Sequence, residues 1–532
     1  MTSFLKNNIR FMPYIWNWYA WSHLIAPHTA GMNIVDRHIK IMESFITYPQ
    51  LHFEAIHTQG MMGGPFINLN ESHQPYIESL LSQTKNDCKK LIKLSEDIKQ
   101  FDIFLQNHAR GCSLEEYYIN IPSSLKGMIE IVYDLNNHPK IRFIEALLYK
   151  NYYDVSAQSI CLTQANDDYR PFCLSTPCVH NETTLQVFIP FSSPLIDTLV
   201  HMKTRPYSAD SLCEELSLPA AQQMLFHSFF TKETLSIKMD RHYKGNGVRV
   251  RYFGHACVLL QTAAISILLD PALGYNYDGK RNDRYSYDDL PDVIDYLIIT
   301  HNHQDHFLFE AILQFRHKIQ NVVVPSTQIG ALEDPSLKLI LKAIGFKNII
   351  CIDEFDTIAF SEEGLLTALP FLGEHGDLNV QSKRAYHITL HGHAFLFLAD
   401  SNNLDHHLYE HIFAHIGKVD TLFIGMECMG APLSWLYGPL FSATLAREFD
   451  NSRRLSGSNF EKAWKIVKAS GCKEVNIYAM GMEPWLSYVM AIDYQSDSLP
   501  IIESNKLIDT CLNNNILANK LFGKKEWLFN RD

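Results

Sequence analysis

A chain of 532 residues, 46% apolar and 20% charged, is too long for one ordinary domain and has ample material for a core. Its formal net charge of −12 argues against general nucleic-acid binding, and no stretch approaches the roughly 18 uncharged apolar residues of a membrane span. Residues 1–8 lack a signal peptide's apolar centre, and the 11 cysteines form no Cys-x-x-Cys pair, so free buried thiols in a reducing, cytoplasmic compartment are expected.

Residues 1–245 read as one region of mixed α and β character. Ile34, Val35, Ile39, Met42, Phe45 and Ile46 recur at helical spacing, which predicts a helix over 32–46 with Pro49 as its stop. Residues 60–64 form a glycine- and methionine-rich loop. Pro75 opens a long amphipathic segment that runs to about Leu105, with Ile77, Leu80, Cys88, Leu91, Ile98 and Phe101 near one face. Ser113 and Glu116 have capping-box spacing ahead of another predicted helix. Residues 183–190 read as a strand, and 209–235 as helical. His23, His28 and His38 have no neighbouring cluster and are expected to be structural.

Lys244, Gly245, Asn246 and Gly247 mark a boundary, dividing the chain into 1–245 and 246–532. Strand-like runs then follow one another. Residues 264–269 are apolar and end in Asp270 and Pro271. Tyr296, Leu297, Ile298, Ile299 and Thr300 read as a buried strand that runs into His301, Asn302, His303, Gln304, Asp305 and His306. Three imidazoles and a carboxylate crowded at a strand end need partners, and metal ions are the natural ones. In extended backbone His301 and His303 point the same way. If a helix follows, Asp305 and His306 project toward a second position, so the stretch offers ligands for two metals. Downstream lie a polar turn, Gly373, Glu374, His375, Gly376 and Asp377, and Asp400 at the end of the apolar run 394–399. Asp400 either caps the turn that follows or joins the cluster. Glu427 ends the strand-like run 421–426 and is either a surface acid or a further ligand. His407, His411 and His415 share a helical face but lack an acid or cysteine to complete a metal set.

Gly254-His255-Ala256, Leu268-Leu269-Asp270-Pro271, the histidine cluster and Asp400 together resemble the metallo-β-lactamase superfamily over about 248–490. The resemblance implies a C-terminal four-layer αββα sandwich with a dinuclear edge site, preceded by a large mixed α+β N-terminal domain. The turn around Glu374, the stretch Arg453-Arg454-Leu455-Ser456-Gly457-Ser458 and the stretch 478–485 make the chain similar to the diiron β-hydroxylase family of chloramphenicol biosynthesis. That family uses two irons and O2 on this fold and hydroxylates an amino acid held on a nonribosomal peptide synthetase carrier domain.

By this resemblance His301, His303 and Glu374 would hold one iron, Asp305 and His306 the other, and Asp400 would bridge them, with Glu374 and Asp400 central to catalysis. His375 is the alternative to Glu374 and Glu427 a further ligand candidate, while Asp270 and His255 either orient ligating imidazoles or are core polar residues of no special role. The set of imidazoles and carboxylates is oxygen-rich, which shifts preference toward iron or manganese, although raw affinity still favours zinc. Without a flavin or nicotinamide fingerprint, electrons would come from a separate reductase. The resemblance also implies a homodimer whose N-terminal domain docks the synthetase, and a tethered substrate requires a channel of phosphopantetheine length; residues 435–440 either wall that channel or form a plain packing loop. Lys89, Lys90 and Lys93, or Arg453 and Arg454, either supply a basic docking patch or form a solvated helix face. The competing expectation is a dinuclear zinc hydrolase or lactonase.

Overall fold

The computed structural model describes residues 2–179, 181–233, 239–277, 283–327, 329–361 and 364–531. From Gly247 onward the chain builds two seven-stranded sheets. In the first, Lys525–Asn530 pairs with Gly247–Gly254, followed by Cys257–Gln261, Ser266–Leu269, Ile294–Ile298, Ile319–Pro325 and Ile349–Ile352. The second runs from Thr357–Ser361 through Gly364–Leu369, Ala385–Leu390, His393–Phe397, Thr421–Gly425 and Glu474–Tyr478 to Leu517–Lys520. Each sheet is antiparallel at one end and parallel at the other: Ser266–Leu269 and Ile294–Ile298 run parallel, as do His393–Phe397 and Thr421–Gly425.

Strands buried on both faces need continuous apolar runs, and Cys257–Gln261 and Ser266–Leu269 are buried throughout. Val250, Val258, Ile267, Leu366, Tyr386 and Phe397 fill the space between the sheets. Helices His406–Ile416, Phe460–Ser470 and Leu499–Asn513 bring Ile412, Ile466 and Leu507 onto the outer face of the second sheet. Phe309–Phe315 and Leu337–Ala343 supply Ile312 and Leu341 to the core beside Leu297 of the first. This is the expected four-layer αββα sandwich. Its parallel strands end on a common edge, where the site residues lie.

The N-terminal region is mixed α and β, with a four-stranded sheet of Trp18–Tyr19, Ile9–Ile15, Gln158–Gln164 and Leu185–Phe188. The helix expected over 32–46 is longer and irregular: Pro27–Asn33 and Lys40–Thr47 flank a π-helical turn, Ile34–Ile39. The amphipathic segment from Pro75 divides at Cys88 into Gln74–Asp87 and Lys89–His108. Ser113 and Glu116 do not open an α-helix. Ser113 Oγ accepts from the Glu115 amide at 3.3 Å, and the turn that follows is a 3-10 helix, Glu115–Asn120. Of the helical stretch 209–235, Ala209–Glu215 and Ala220–Ser228 are helices, Phe230–Thr231 is a short strand, and Leu235 lies outside the described residues. His23 and His38 stack on Trp21 and Trp18 in the core. No helix among the described residues is long and apolar enough to cross a membrane.

Buried polar contacts fix the two halves against each other. Glu310 accepts from Arg170 Nη1 at 2.8 Å and from the hydroxyls of Tyr275 at 2.7 Å, Tyr19 at 3.0 Å and Tyr488 at 3.2 Å. Glu310 is fully buried, so its charge depends on Arg170 and these hydroxyls. Glu310→Ala would leave a buried guanidinium unpaired. We expect it to lower unfolding free energy by about 3–5 kcal/mol in urea titrations, with Glu310→Gln in between.

Candidate metal centre

The site is assembled where four strands end. Asp270 follows Ser266–Leu269, His301 follows Ile294–Ile298, Asp400 follows His393–Phe397, and Glu427 follows Thr421–Gly425. Residues 301–306 form turns rather than the start of a helix, and the helix begins only at Phe309. The turns still gather the side chains. His301, His303, His306, Glu374 and Asp400 are buried, and Asp305 is 12% exposed.

Three overlapping groups offer ligand atoms within 4.8 Å of one another: His301, His303 and Glu374; His301, His306 and Asp400; His255, Asp305 and His306. His303 Nδ1 lies 2.6 Å from Glu374 Oε1, and His306 Nε2 lies 3.1 Å from Asp400 Oδ2. His301 Nε2 stands between the carboxylates, 3.7 Å from Glu374 and 3.9 Å from Asp400. His301 Nε2, Glu374 Oε2 and Asp400 Oδ1 are buried atoms without a hydrogen-bond partner. Buried polar atoms are rarely left so, and a convergent set of imidazole and carboxylate atoms fits metal ions.

Electrostatics agree. Burial holds His301 and His375 well below the ordinary imidazole range, in the neutral form a metal needs. Burial alone would lower His306 too, but Asp400, Asp305 and Asp270 together raise it well above that range. Burial pushes Glu374 up to about 7 against the pull of His303. Burial would also raise Asp305, yet His306 and His255 keep it below the carboxylate range. Carboxylates converging on one imidazole in a dry pocket call for added positive charge.

The supporting groups are arranged as imidazole ligands require. Asp270 accepts from the Thr300 amide at 2.7 Å and the Thr300 hydroxyl at 2.6 Å, and its Oδ2 lies 2.8 Å from His306 Nδ1. His255 Nδ1 accepts the Gly481 amide at 3.2 Å, so its other nitrogen donates to Asp305 Oδ2 at 3.1 Å. His255, Asp270, Glu374 and Ala399 all have positive φ, between 38° and 66°. Such backbone costs a non-glycine residue about 1–3 kcal/mol each, and its concentration here marks a site held in shape by its surroundings.

His375 is buried beside Glu374, with Nδ1 3.1 Å from Oε2 and 3.2 Å from the Gly373 carbonyl, but Glu374 is the residue that completes the group with His301 and His303. Glu427 joins none of the three groups, lines the adjoining cavity instead, and burial, then Asp400, Asp305 and Glu374, raise its pKa well above the ordinary range. His407 is exposed and pairs with Glu410 at 2.9 Å, and His411 and His415 join no group.

Some contributors had no sequence signal of their own. Tyr437 Oη lies 3.1 Å from His303 Nε2, and Lys383 Nζ donates to the Gly373 carbonyl at 3.1 Å, bracing the Glu374 turn. Gly425 is required by close approach: a Cβ there would stand 2.6 Å from Asp400 Oδ1 and 2.7 Å from the Ala399 carbonyl. Gly425→Ala is therefore expected to displace Asp400 and weaken metal binding by about tenfold or more, read by metal analysis after dialysis.

A cavity of about 570 Å³ opens onto His303, Asp305, Glu374 and Asp400. Gly60 and Phe172 line it from the N-terminal region, and Trp435 and Leu436 from the stretch expected to wall a channel. Arg37, on the π-helical turn, donates to the carbonyls of Trp435 at 2.8 Å and Leu436 at 2.9 Å. The N-terminal region thus holds one wall of the cavity. Arg453 and Arg454 are half-buried and spend their Nε donors on the Gly376 and Gly430 carbonyls. Lys93 pairs with Asp97 at 2.7 Å.

Residues 4–234 match the family model described as the diiron non-heme beta-hydroxylase N-terminal domain, and residues 266–432 match a beta-lactamase superfamily domain. The chain is 37% identical over 509 residues to the 4-amino-L-phenylalanyl-[CmlP-peptidyl-carrier-protein] 3-hydroxylase of Streptomyces venezuelae, covering 95% of each protein. It superposes on the crystal structure of CmlA, a diiron beta-hydroxylase from Streptomyces venezuelae, with a TM-score of 0.93 and 36% identity, over 99% of this chain and 100% of that one. A mutant of the CmlA beta-hydroxylase gives a TM-score of 0.91 and 35% identity over the same shares.

Proposed function

This chain belongs to the diiron non-heme beta-hydroxylase family, and from that premise we propose that it β-hydroxylates an aminoacyl group carried as a thioester on a peptide synthetase carrier domain. The observation that carries the reading is the buried, overlapping set of imidazoles and carboxylates facing one end of the cavity. Membership of this family favours the hydroxylase over the zinc hydrolase alternative.

His301, His303 and Glu374 would hold one iron, His306 and Asp305 the other, and Asp400 would reach both. When bound, the two irons supply redox chemistry that activates O2 toward the substrate's β-carbon. The protein's own part is positional. Asp270 fixes the ring of His306, Tyr437 fixes that of His303, and His255 holds Asp305. The apolar walls from Phe172, Leu436 and Val489 keep water from the reacting end. His375 and Lys383 brace the turn that presents Glu374. Residues 1–245 serve as the domain that docks the carrier and pairs with a second copy, and 246–532 as the catalytic domain; a separate reductase supplies electrons.

The test is direct. Native protein is analysed for metal, reduced chemically, exposed to O2 with aminoacyl-loaded carrier domain, and the carrier is weighed intact. Two irons per chain and a product heavier by one oxygen atom are expected. Zinc in their place, with hydrolysis of the thioester, would end the proposal.

A further inference from the structure

The acids of the cavity outnumber what two irons need. Asp305, Glu374 and Asp400 are committed to the metal groups, which leaves Glu427, Asp493 and Asp497 on the cavity lining against a single basic side chain, Arg454. Arg454 Nε is already held by the Gly430 carbonyl at 2.7 Å. Glu427 stands nearest the chemistry: it leaves the same strand edge as Asp400, and the charges of Asp400, Asp305 and Glu374 all bear on it. Among the described residues, no lysine, arginine or histidine forms an ion pair with Glu427. Its backbone is fixed, since its carbonyl accepts the Gly457 amide at 2.9 Å, and Tyr494 flanks its side chain. A carboxylate so placed, without a cation from its own chain, is set to take one from the ligand.

Resting on the hydroxylase reading above, we infer that Glu427 is the specificity residue that binds the free α-ammonium group of the aminoacyl thioester. The α-nitrogen is one bond from the α-carbon and two from the β-carbon, so anchoring it beside Asp400 aims the β-carbon at the metal groups. The substrate class follows: an aminoacyl group whose nitrogen is not acylated. The place in the reaction sequence follows as well. Hydroxylation precedes the amide-forming condensation that consumes this nitrogen, because an acylated nitrogen carries no charge for Glu427 to bind.

The experiment uses the iron-loaded full-length protein and a carrier domain bearing each of a panel of amino acids with a β-methylene, as the free amine and as the N-acetyl derivative. For the best panel member, kcat/KM is expected to be at least about thirtyfold higher for the free amine. Glu427→Gln should bring that ratio below about threefold while iron per chain stays unchanged, and Glu427→Asp should restore most of it. A wild-type protein that accepts both forms equally overturns the inference, as does a Glu427→Gln protein that keeps the full preference. A variant that loses iron in proportion to activity also overturns it, because Glu427 would then be a ligand. If the iron-loaded wild type oxygenates no panel member in either form, the hydroxylase reading itself falls and takes this inference with it.

Discussion

An Asp400→Ala protein is expected to be purified with one iron per chain or fewer and to lose hydroxylation by more than about a hundredfold, the upper range for groups that merely support ligands. Asp400 lies 3.1 Å from His306 and 3.9 Å from His301, so it stands between the imidazole assigned to one iron and an imidazole assigned to the other. Gly425 beside it offers no side chain, and Ala399 before it holds a positive φ of 45°. Removing it also relieves repulsion among buried acids, so thermal stability of the metal-free protein should hold or rise while metal content falls. Calorimetry of the metal-free protein beside metal analysis of the loaded one reads both. A fully loaded, active Asp400→Ala protein would remove the bridge from the proposal.

Asp270→Ala should fail in the opposite way. Asp270 is 1% exposed and satisfies the Thr300 amide, the Thr300 hydroxyl and His306 Nδ1 together. Its loss strands three buried donors and frees the ring of His306. Unfolding free energy should fall by about 3–5 kcal/mol, as for breaking a buried charged network. Metal affinity should fall by about 10–100-fold, as for other groups that orient a ligand. Asp270→Asn keeps the shape and one acceptor, so it should recover much of the stability but little of the affinity. Urea titration and competition with a chelator separate the two effects.

The site was legible in the sequence where residue type and strand ends coincide. Three imidazoles and an acid after a buried run, and acids closing two further apolar runs, already pointed to one edge, since polar side chains at strand ends need partners. What stayed hidden depends on contacts across the fold. Tyr437 reaches His303 from the end of a short helix, Leu433–Tyr437, 134 residues away, and Arg37 reaches the cavity wall from 398 and 399 residues away, on a helix whose π-turn no periodicity announces. Glu310 and Arg170 look like ordinary surface charges in the sequence, yet they meet at the buried junction of the two halves. The spacing of ligands at 301–306 does not distinguish a turn from a helix start, and the chain forms turns there. Glu374, at φ 66°, and His375 are adjacent and both buried, and only the fold shows that Glu374 completes the group with His301 and His303.

The pairing of Lys525–Asn530 with Gly247–Gly254 bears on how the protein is made. The strand Gly247–Gly254, which opens the sandwich, pairs with a strand hundreds of residues later, and Trp527 reaches across to Glu474 of the other sheet at 2.9 Å. The first sheet therefore lacks its edge strand until residues 525–530 have been made. The histidine-rich turn thus precedes in the chain a strand that the first sheet needs, so the sheet that frames its ions is complete only once that later strand has paired.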